Sequence, residues 1–176
     1  MLKGKSIQLR PILQADLPEL YSHHIEIANR GEFFPLNILS ESEFQRRFEQ
    51  TGYWEKESGM LVIMNGSGAM IGHIEFFRTV SYLDEMELSY QIYGQAERGQ
   101  GYATQAVNLL TRYLFGCLKV NRIRLIIHPE NCASRRVAEK CGFVLEGIAR
   151  QAWYHQGKNH DVAVYAILRQ EVTAVH

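Results

Sequence analysis

No apolar run in this chain approaches the ~18 residues of a membrane span, and Met1 to Arg10 lacks the continuous apolar stretch of a signal peptide. These absences make a cytoplasmic protein without a membrane partner the expectation. An excess of one charge is missing too: Lys plus Arg and Asp plus Glu number 19 each. The balance leaves no electrostatic footprint for nucleic acid, so a small polar substrate or a short protein segment fits better. Cysteine is scarce. Cys117, Cys132 and Cys141 are odd in number and lack C-x-x-C spacing, which argues against a disulfide framework or a zinc site and leaves buried or idle thiols. None of the seven histidines has the i, i+4 or H-x-E spacing of a zinc site, so no metal is expected. Repeats, linkers and low-complexity segments are absent. With 176 residues, 46% of them hydrophobic, the chain suffices for one core, and one domain spanning 1–176 is predicted.

The pattern that is present alternates between strands and helices. Ser6 to Arg10 reads as a first strand closed by Pro11, and Asp16 as the cap of a helix with Leu17, Leu20, Tyr21 and His24 on its apolar face. On such a face His24 is better explained as core than as a ligand. Ser40 and Glu43 form a capping-box pattern ahead of Phe44 and Phe48. The intervening segment, Arg30 to Leu39, is an apolar-rich loop that either packs on the core or lines a cleft. Met60 to Met64 and Met70 to Phe77 flank the turn Asn65-Gly66-Ser67-Gly68 and predict a hairpin. From Glu85 to Tyr93 the chain alternates, with Glu87, Ser89, Gln91 and Tyr93 on one face and Met86, Leu88, Tyr90 and Ile92 on the other. A helix follows with Ala103, Val107, Leu110, Leu114 and Cys117 on its buried face. Arg124 to His128 is a short strand, and Asn131 opens a helix that Gly142 ends. Phe143 to Ile148 and His160 to Leu168 are the last strands, joined near Gln156-Gly157. Together these elements describe an α+β fold in which a mixed sheet is flanked by helices.

The most informative stretch runs from Gln91 to Thr104, where a strand enters Arg98-Gly99-Gln100-Gly101-Tyr102-Ala103 and then a helix. Glycines let the backbone approach a ligand, and the free N–H groups of a first helical turn, aided by the dipole, favour a diphosphate. The spacing matches neither G-x-G-x-x-G nor G-x-x-x-x-G-K-[ST], so neither a dinucleotide fold nor a P-loop is indicated.

The form R-x-x-G-x-A resembles the coenzyme A pyrophosphate loop of the GCN5-related N-acetyltransferase (GNAT) superfamily. The series that follows is Asn131-Cys132-Ala133-Ser134, Glu139-Lys140-Cys141-Gly142-Phe143, Glu146-Gly147 and His160-Asp161. In that order it is similar to the RimJ/RimL branch, which acetylates N-terminal amines of ribosomal proteins and has relatives acting on other amines. The resemblance covers Lys5 to Arg169 and implies a central, mostly antiparallel sheet of about six to seven strands with about four helices. It also implies an acetyl-CoA-dependent N-acetyltransferase, with acetyl-CoA as cosubstrate and no metal. Carried over by position, Gln91, Ile92 and Tyr93 pair their backbone with the pantetheine arm. Arg98, Gly99, Gln100, Gly101, Tyr102, Ala103 and Thr104 hold the pyrophosphate, Asn131 touches the coenzyme and Ser134 lies near the thioester sulfur. Two positions depart from the wider superfamily. Ala138 stands where many members carry a tyrosine that protonates the leaving thiolate, and Ile126 where RimI-type enzymes have a glutamate. Trp153 stands where RimL has a glutamate.

Aminolysis of a thioester needs a neutral amine, a polarised carbonyl and a tolerable leaving thiolate. A carboxylate is therefore expected near the acyl group. The branch commonly places Glu at the position of Glu87, which makes it the first candidate; Glu75 on the preceding strand is the second, and a surface role explains either. A backbone N–H at Ile92 or Tyr93 is the candidate oxyanion donor, against ordinary strand pairing. Ser134 is the candidate proton donor to sulfur, against a helix-turn hydrogen bond. His128 ends a strand beside the coenzyme helix. Asp161 suits a structural hydrogen bond or a substrate contact, and Trp153 and Tyr154 suit an acceptor wall or hairpin packing. The acceptor stays open between a protein N-terminus and a polyamine, amino acid or antibiotic amine. A CoA-binding sensor without turnover is the rival reading, and a monomer and a homodimer both fit.

Overall fold

The computed structural model describes residues 1–172. Eight strands form one sheet in the order β1-β2-β3-β4-β5-β6-β8-β7. They are β1 (Leu2–Lys3), β2 (Ile7–Pro11), β3 (Ser58–Asn65), β4 (Met70–Phe77), β5 (Glu85–Ile92), β6 (Arg122–Ile127), β7 (Val144–His155) and β8 (Lys158–Leu168). The helices are α1 (Leu17–Ile25), the single turn α2 (Ile27–Arg30), α3 (Glu41–Thr51), α4 (Tyr102–Cys117) and α5 (Cys132–Lys140). The architecture matches the one expected with one strand more, because β1 is two residues long and too short to alternate.

Both faces of the central strands are covered. On β3, Leu61 and Ile63 join the core beneath α4, with Val107, Leu110 and Leu114, while Met60, Val62 and Met64 pack with Leu17, Leu20 and Phe44 of α1 and α3. A strand buried on both sides reads as a continuous apolar run, as Met60 to Met64 does. Every neighbouring pair of strands is antiparallel except β5 and β6, which are parallel and pair only at Glu85↔Arg122, Met86↔Ile123 and Glu87↔Arg124. Beyond Glu87 the two strands part, β5 staying with β4 and β6 with β8.

Several local expectations are corrected. Asp16 does not cap α1. Its carboxylate accepts the Leu13 N–H at 2.7 Å and pairs with Arg10, because the 3-10 turn Gln14–Asp16 directs it backwards. Ser40 Oγ accepts the Glu43 N–H at 3.2 Å as expected, but the Glu43 carboxylate leaves the box for Arg46 and Arg47. Cys117 is exposed, not on the buried face of α4, where Phe115 is enclosed; Cys132 is exposed and Cys141 buried. The strands β7 and β8 run to a tight turn at Gln156 (φ 48°) and Gly157 (φ 83°), so they are longer than their apolar cores suggested.

The approach of β4 to β5 depends on Gly72. A Cβ built there would lie 2.2 Å from the Gln91 carbonyl oxygen, backbone that cannot move without parting the strands. Gly72→Ala is expected to lower stability by about 1–3 kcal/mol, the usual cost of overpacking. A denaturant midpoint within error of the parent would remove Gly72 from this role.

Candidate active site

The parting of β5 from β6 leaves one edge of β5 without a strand partner. The Tyr93 N–H donates to Ile71 O at 2.8 Å, and hydrogen bonding in an antiparallel pair alternates residue by residue. The odd residues of β5 therefore direct their amides to β4, while Tyr90 and Ile92, beyond the last pair Glu87↔Arg124, direct theirs into the gap. Of the two amides considered as oxyanion donors, Tyr93 is engaged in pairing and Ile92 faces the opening. Arg98 Nε donates to the Ile92 carbonyl at 3.3 Å, which ties the loop to the mouth of the gap.

That loop ends at α4. Gly101 caps the helix in the left-handed region (φ 78°, ψ 7°), a conformation costly for other residues, and no side chain caps the first turn. No atom lies within 4 Å of a Cβ built at Gly99 or Gly101, so these glycines border open space. Tyr102, Ala103 and Thr104 begin a helix of 16 residues whose positive end faces this space. The cradle thus has the chemistry of an anion site. Arg98, Gly99 and Gln100 are exposed beside it.

Across the gap, α5 presents its own first turn. Asn131 Oδ1 accepts the Ser134 N–H at 3.0 Å, which is ordinary capping. Ser134 Oγ lies 2.7 Å from the hydroxyl of Tyr90. The sequence placed Tyr90 simply among apolar residues of β5, so this contact was missed, and only the meeting of β5 and α5 could reveal it. Burial pushes the Tyr90 phenol up to about 12, so it keeps its proton. Ala138, standing at the position of the superfamily tyrosine, is fully buried.

The opposite face of β5 opens on a cavity of about 420 Å³ between the sheet, α1, α3 and the 31–39 loop. Glu75, Ser89, Gln91, Tyr93 and His73 come from the sheet, and Phe34, Leu39, Phe44, Tyr53 and Met60 supply apolar walls. Arg30 shapes the wall: its guanidinium is buried and donates to Pro35 O at 2.7 Å, Asn37 O at 2.8 Å and the His24 carbonyl. His24 accepts the Leu39 N–H through Nε2 at 2.9 Å, as a core histidine would. Burial pushes His73 down to about 4, so the neutral ring accepts the Tyr93 O–H at its Nδ1, 2.6 Å away.

The two carboxylate candidates separate here. Glu87 is outside the cavity and pairs at 3.0 Å with Arg124, which also contacts Glu85 and Thr79. Burial raises the Glu87 carboxyl, and the guanidinium opposes that shift. Glu75 lines the cavity, and among the described residues it forms no ion pair. Burial lifts its carboxyl above the ordinary range, partly offset by Ser89.

The remaining candidates lie apart. His128 stacks on Phe33 at 4.7 Å and bonds His160 at 3.1 Å, while Trp153 stacks on His155 at 4.2 Å. This cluster braces the loop, since His155 Nε2 is 2.9 Å from the Glu32 carbonyl. Asp161 accepts the Gln151 N–H at 2.9 Å where β7 shifts register, a structural bond, and Tyr154 is largely exposed. Among the described residues no group of three or more His, Cys, Asp or Glu is placed to hold a metal ion, and no helix is long and apolar enough to cross a membrane.

Comparison with known proteins fits this geometry. The acetyltransferase (GNAT) domain model matches residues 6–144. The probable N-acetyltransferase YjcK of Bacillus subtilis is 29% identical over 97% of this chain and 98% of its own length. The putative ribosomal N-acetyltransferase YdaF of the same organism is 33% identical over 65% of this chain and 60% of its own. Among solved structures, the spermidine N-acetyltransferase of Vibrio cholerae in complex with CoA and spermine superposes with a TM-score of 0.80 at 21% identity, over 96% of this chain and 98% of that one.

The raised carboxyl of Glu75 carries a consequence for stability. A folded-state pKa above the unfolded value means that the proton-linked stabilisation is complete below the unfolded value and is lost as pH rises through the folded one. Glu75→Gln removes this loss. Its melting temperature relative to the parent should climb as pH rises from the ordinary glutamate range and level off above the raised value. Parallel melting curves across the acid-to-neutral range would show that burial does not perturb this group.

Proposed function

The chain belongs to the GNAT acetyltransferase domain family and is an acetyl-CoA-dependent N-acetyltransferase, and from that premise we propose that it acetylates a primary amine held in the cavity over β4 and β5. The observation that carries this reading is the parting of β5 and β6 between two differently built sites. The glycine cradle of α4 lies at one end of the gap and the Glu75 cavity borders one face of β5.

Each step falls to residues of this chain. First-turn amides from Gly99 to Thr104 hold the diphosphate of acetyl-CoA, and the free edge of β5 at Ile92 pairs with the pantetheine arm. The thioester carbonyl then lies against amides of that edge, which oppose the charge developing on oxygen. The amine nitrogen attacks the carbonyl carbon; the C–N bond forms and the C–S bond breaks. Glu75 takes the proton released from nitrogen, directly or through water, and its raised pKa brings it nearer the working pH of a general base. We assign this role to Glu75 over Glu87, because the latter is held by Arg124 at the closed end of the gap. Ser134 gives its proton to the departing sulfur and regains one from solvent through the Tyr90 hydroxyl. Tyr90 orients it: a phenol is the stronger donor of the two hydroxyls, so it donates to Ser134 Oγ and frees the serine proton for the gap. Relatives named for ribosomal and spermidine acetylation frame two acceptor classes, a protein N-terminus and a small molecule.

Thiol release from acetyl-CoA on addition of a primary amine tests the assignment directly. Gly101→Asp should abolish acetyl-CoA binding by calorimetry, whereas Gly101→Ala, which adds strain but no charge, should weaken it far less; equal affinities would remove the cradle from the reading. Glu75→Gln should cut kcat most near neutral pH and recover partly at high pH, with Glu87→Gln milder. Ser134→Ala should lower kcat by ~10² or more with little change in acetyl-CoA binding, the scale of lost general-acid assistance. If it melts earlier but turns over normally, Ser134 serves only α5.

A further inference from the structure

The cavity limits which amines can enter, and this inference rests on the acetyl-transfer reading above. Among the described residues lining it, Glu75 is the only carboxylate, and two guanidinium groups, Arg30 and Arg47, lie in the same lining. Arg30 is fixed in the wall by backbone carbonyls, so its charge cannot swing away. Arg47 is half exposed on α3, with its Nε 2.8 Å from Glu43 Oε1. Burial, and after it both guanidinium groups, push His24 of the same lining below the ordinary histidine range.

We infer that the acceptor is a small primary monoamine on an apolar or aromatic body, neutral or anionic at its far end, and not a polyamine. The apolar walls match such a body, and about 420 Å³ is near the lower end of the range for small-molecule sites. A polyamine that yields one proton to Glu75 still carries further ammonium groups. Those charges would have to leave water beside Arg30 and Arg47 with no second carboxylate in the lining to receive them, and an unpaired charge is costly to bury. The aromatic faces do not replace the missing acid. Tyr93 is stacked by His23 at 3.8 Å, and Phe44 packs against Tyr21 and Tyr53 at 5.4 and 5.3 Å. This sets the chain apart from its solved neighbour, which was crystallised with spermine.

The test compares kcat/KM for 2-phenylethylamine, phenylalaninamide, phenylalanine, 1,4-diaminobutane and spermidine at saturating acetyl-CoA, with coenzyme binding measured by calorimetry. At least one aromatic monoamine should exceed both polyamines by tenfold or more. Arg47→Glu, which leaves the coenzyme cradle and Glu75 untouched, should narrow that ratio at least tenfold. Spermidine or diaminobutane equal to or above the aromatic amines overturns the inference while transfer to an amine stands. An unchanged ratio in R47E also overturns it. Tight acetyl-CoA binding with no thiol release from any amine overturns the transfer reading and the acceptor class with it.

Discussion

The pairing of β5 with β6 stops after three residues, and the site is arranged around that interruption. Parallel strands need a crossover, here the loop and α4, and the same crossover delivers the helix N-terminus to the place where the strands part. The closed end is secured by charge. Arg122 pairs with Glu85 and Glu146, and Arg124 with Glu85 and Glu87, so carboxylates of β5 are bound to guanidinium groups of β6 across the seam. Glu85 and Glu87 are largely shielded from water, and removing Arg124 would leave the Glu87 carboxylate shielded and without its ion-pair partner. The gap therefore begins at a fixed point, and every distance along β5 is measured from it.

From that point β5 divides the chemistry by its two-residue period. Ser89 and Gln91 face the cavity with Glu75, Tyr90 faces α5 and Ser134, and the free amides between them face the gap. One strand thus serves three surfaces without any loop of its own. Gly72 permits the close approach of β4 that keeps β5 in place after β6 has departed.

The cavity over β4 and β5 depends on an unusual wall. Arg30 holds the 31–39 loop by donating to the Pro35 and Asn37 backbone carbonyls. His128, just past the end of β6, with His155 of β7 and His160 of β8, braces the same loop. A wall fixed by an arginine is shaped and positive at once.

How much of this was legible in the sequence follows from the range of each interaction. The glycine loop was readable because φ > 0 and an uncapped helix start are local properties of Arg98 to Thr104. So were the Asn65 to Gly68 turn, the Ser40 cap, the helix start at Asn131 and the apolar run of β3. The alternation of β5 put Glu87 and Gln91 on one face, yet it could not tell a cavity carboxylate from a paired one, because Arg124 arrives from 37 residues away. Tyr90 was hidden for a similar reason, its partner lying 44 residues on in α5. Asp16 was misread as a cap because its choice between α1 and Arg10 depends on the tilt of a turn. The sequence by itself determined the elements, their order and the glycine loop at the start of α4, which hydrogen bonding and periodicity specify within a few residues. Only the tertiary structure decided which carboxylate lines the cavity, which hydroxyl meets Ser134 and which charges stand around that cavity, since burial and ion pairing are set by neighbours that the chain brings together from afar.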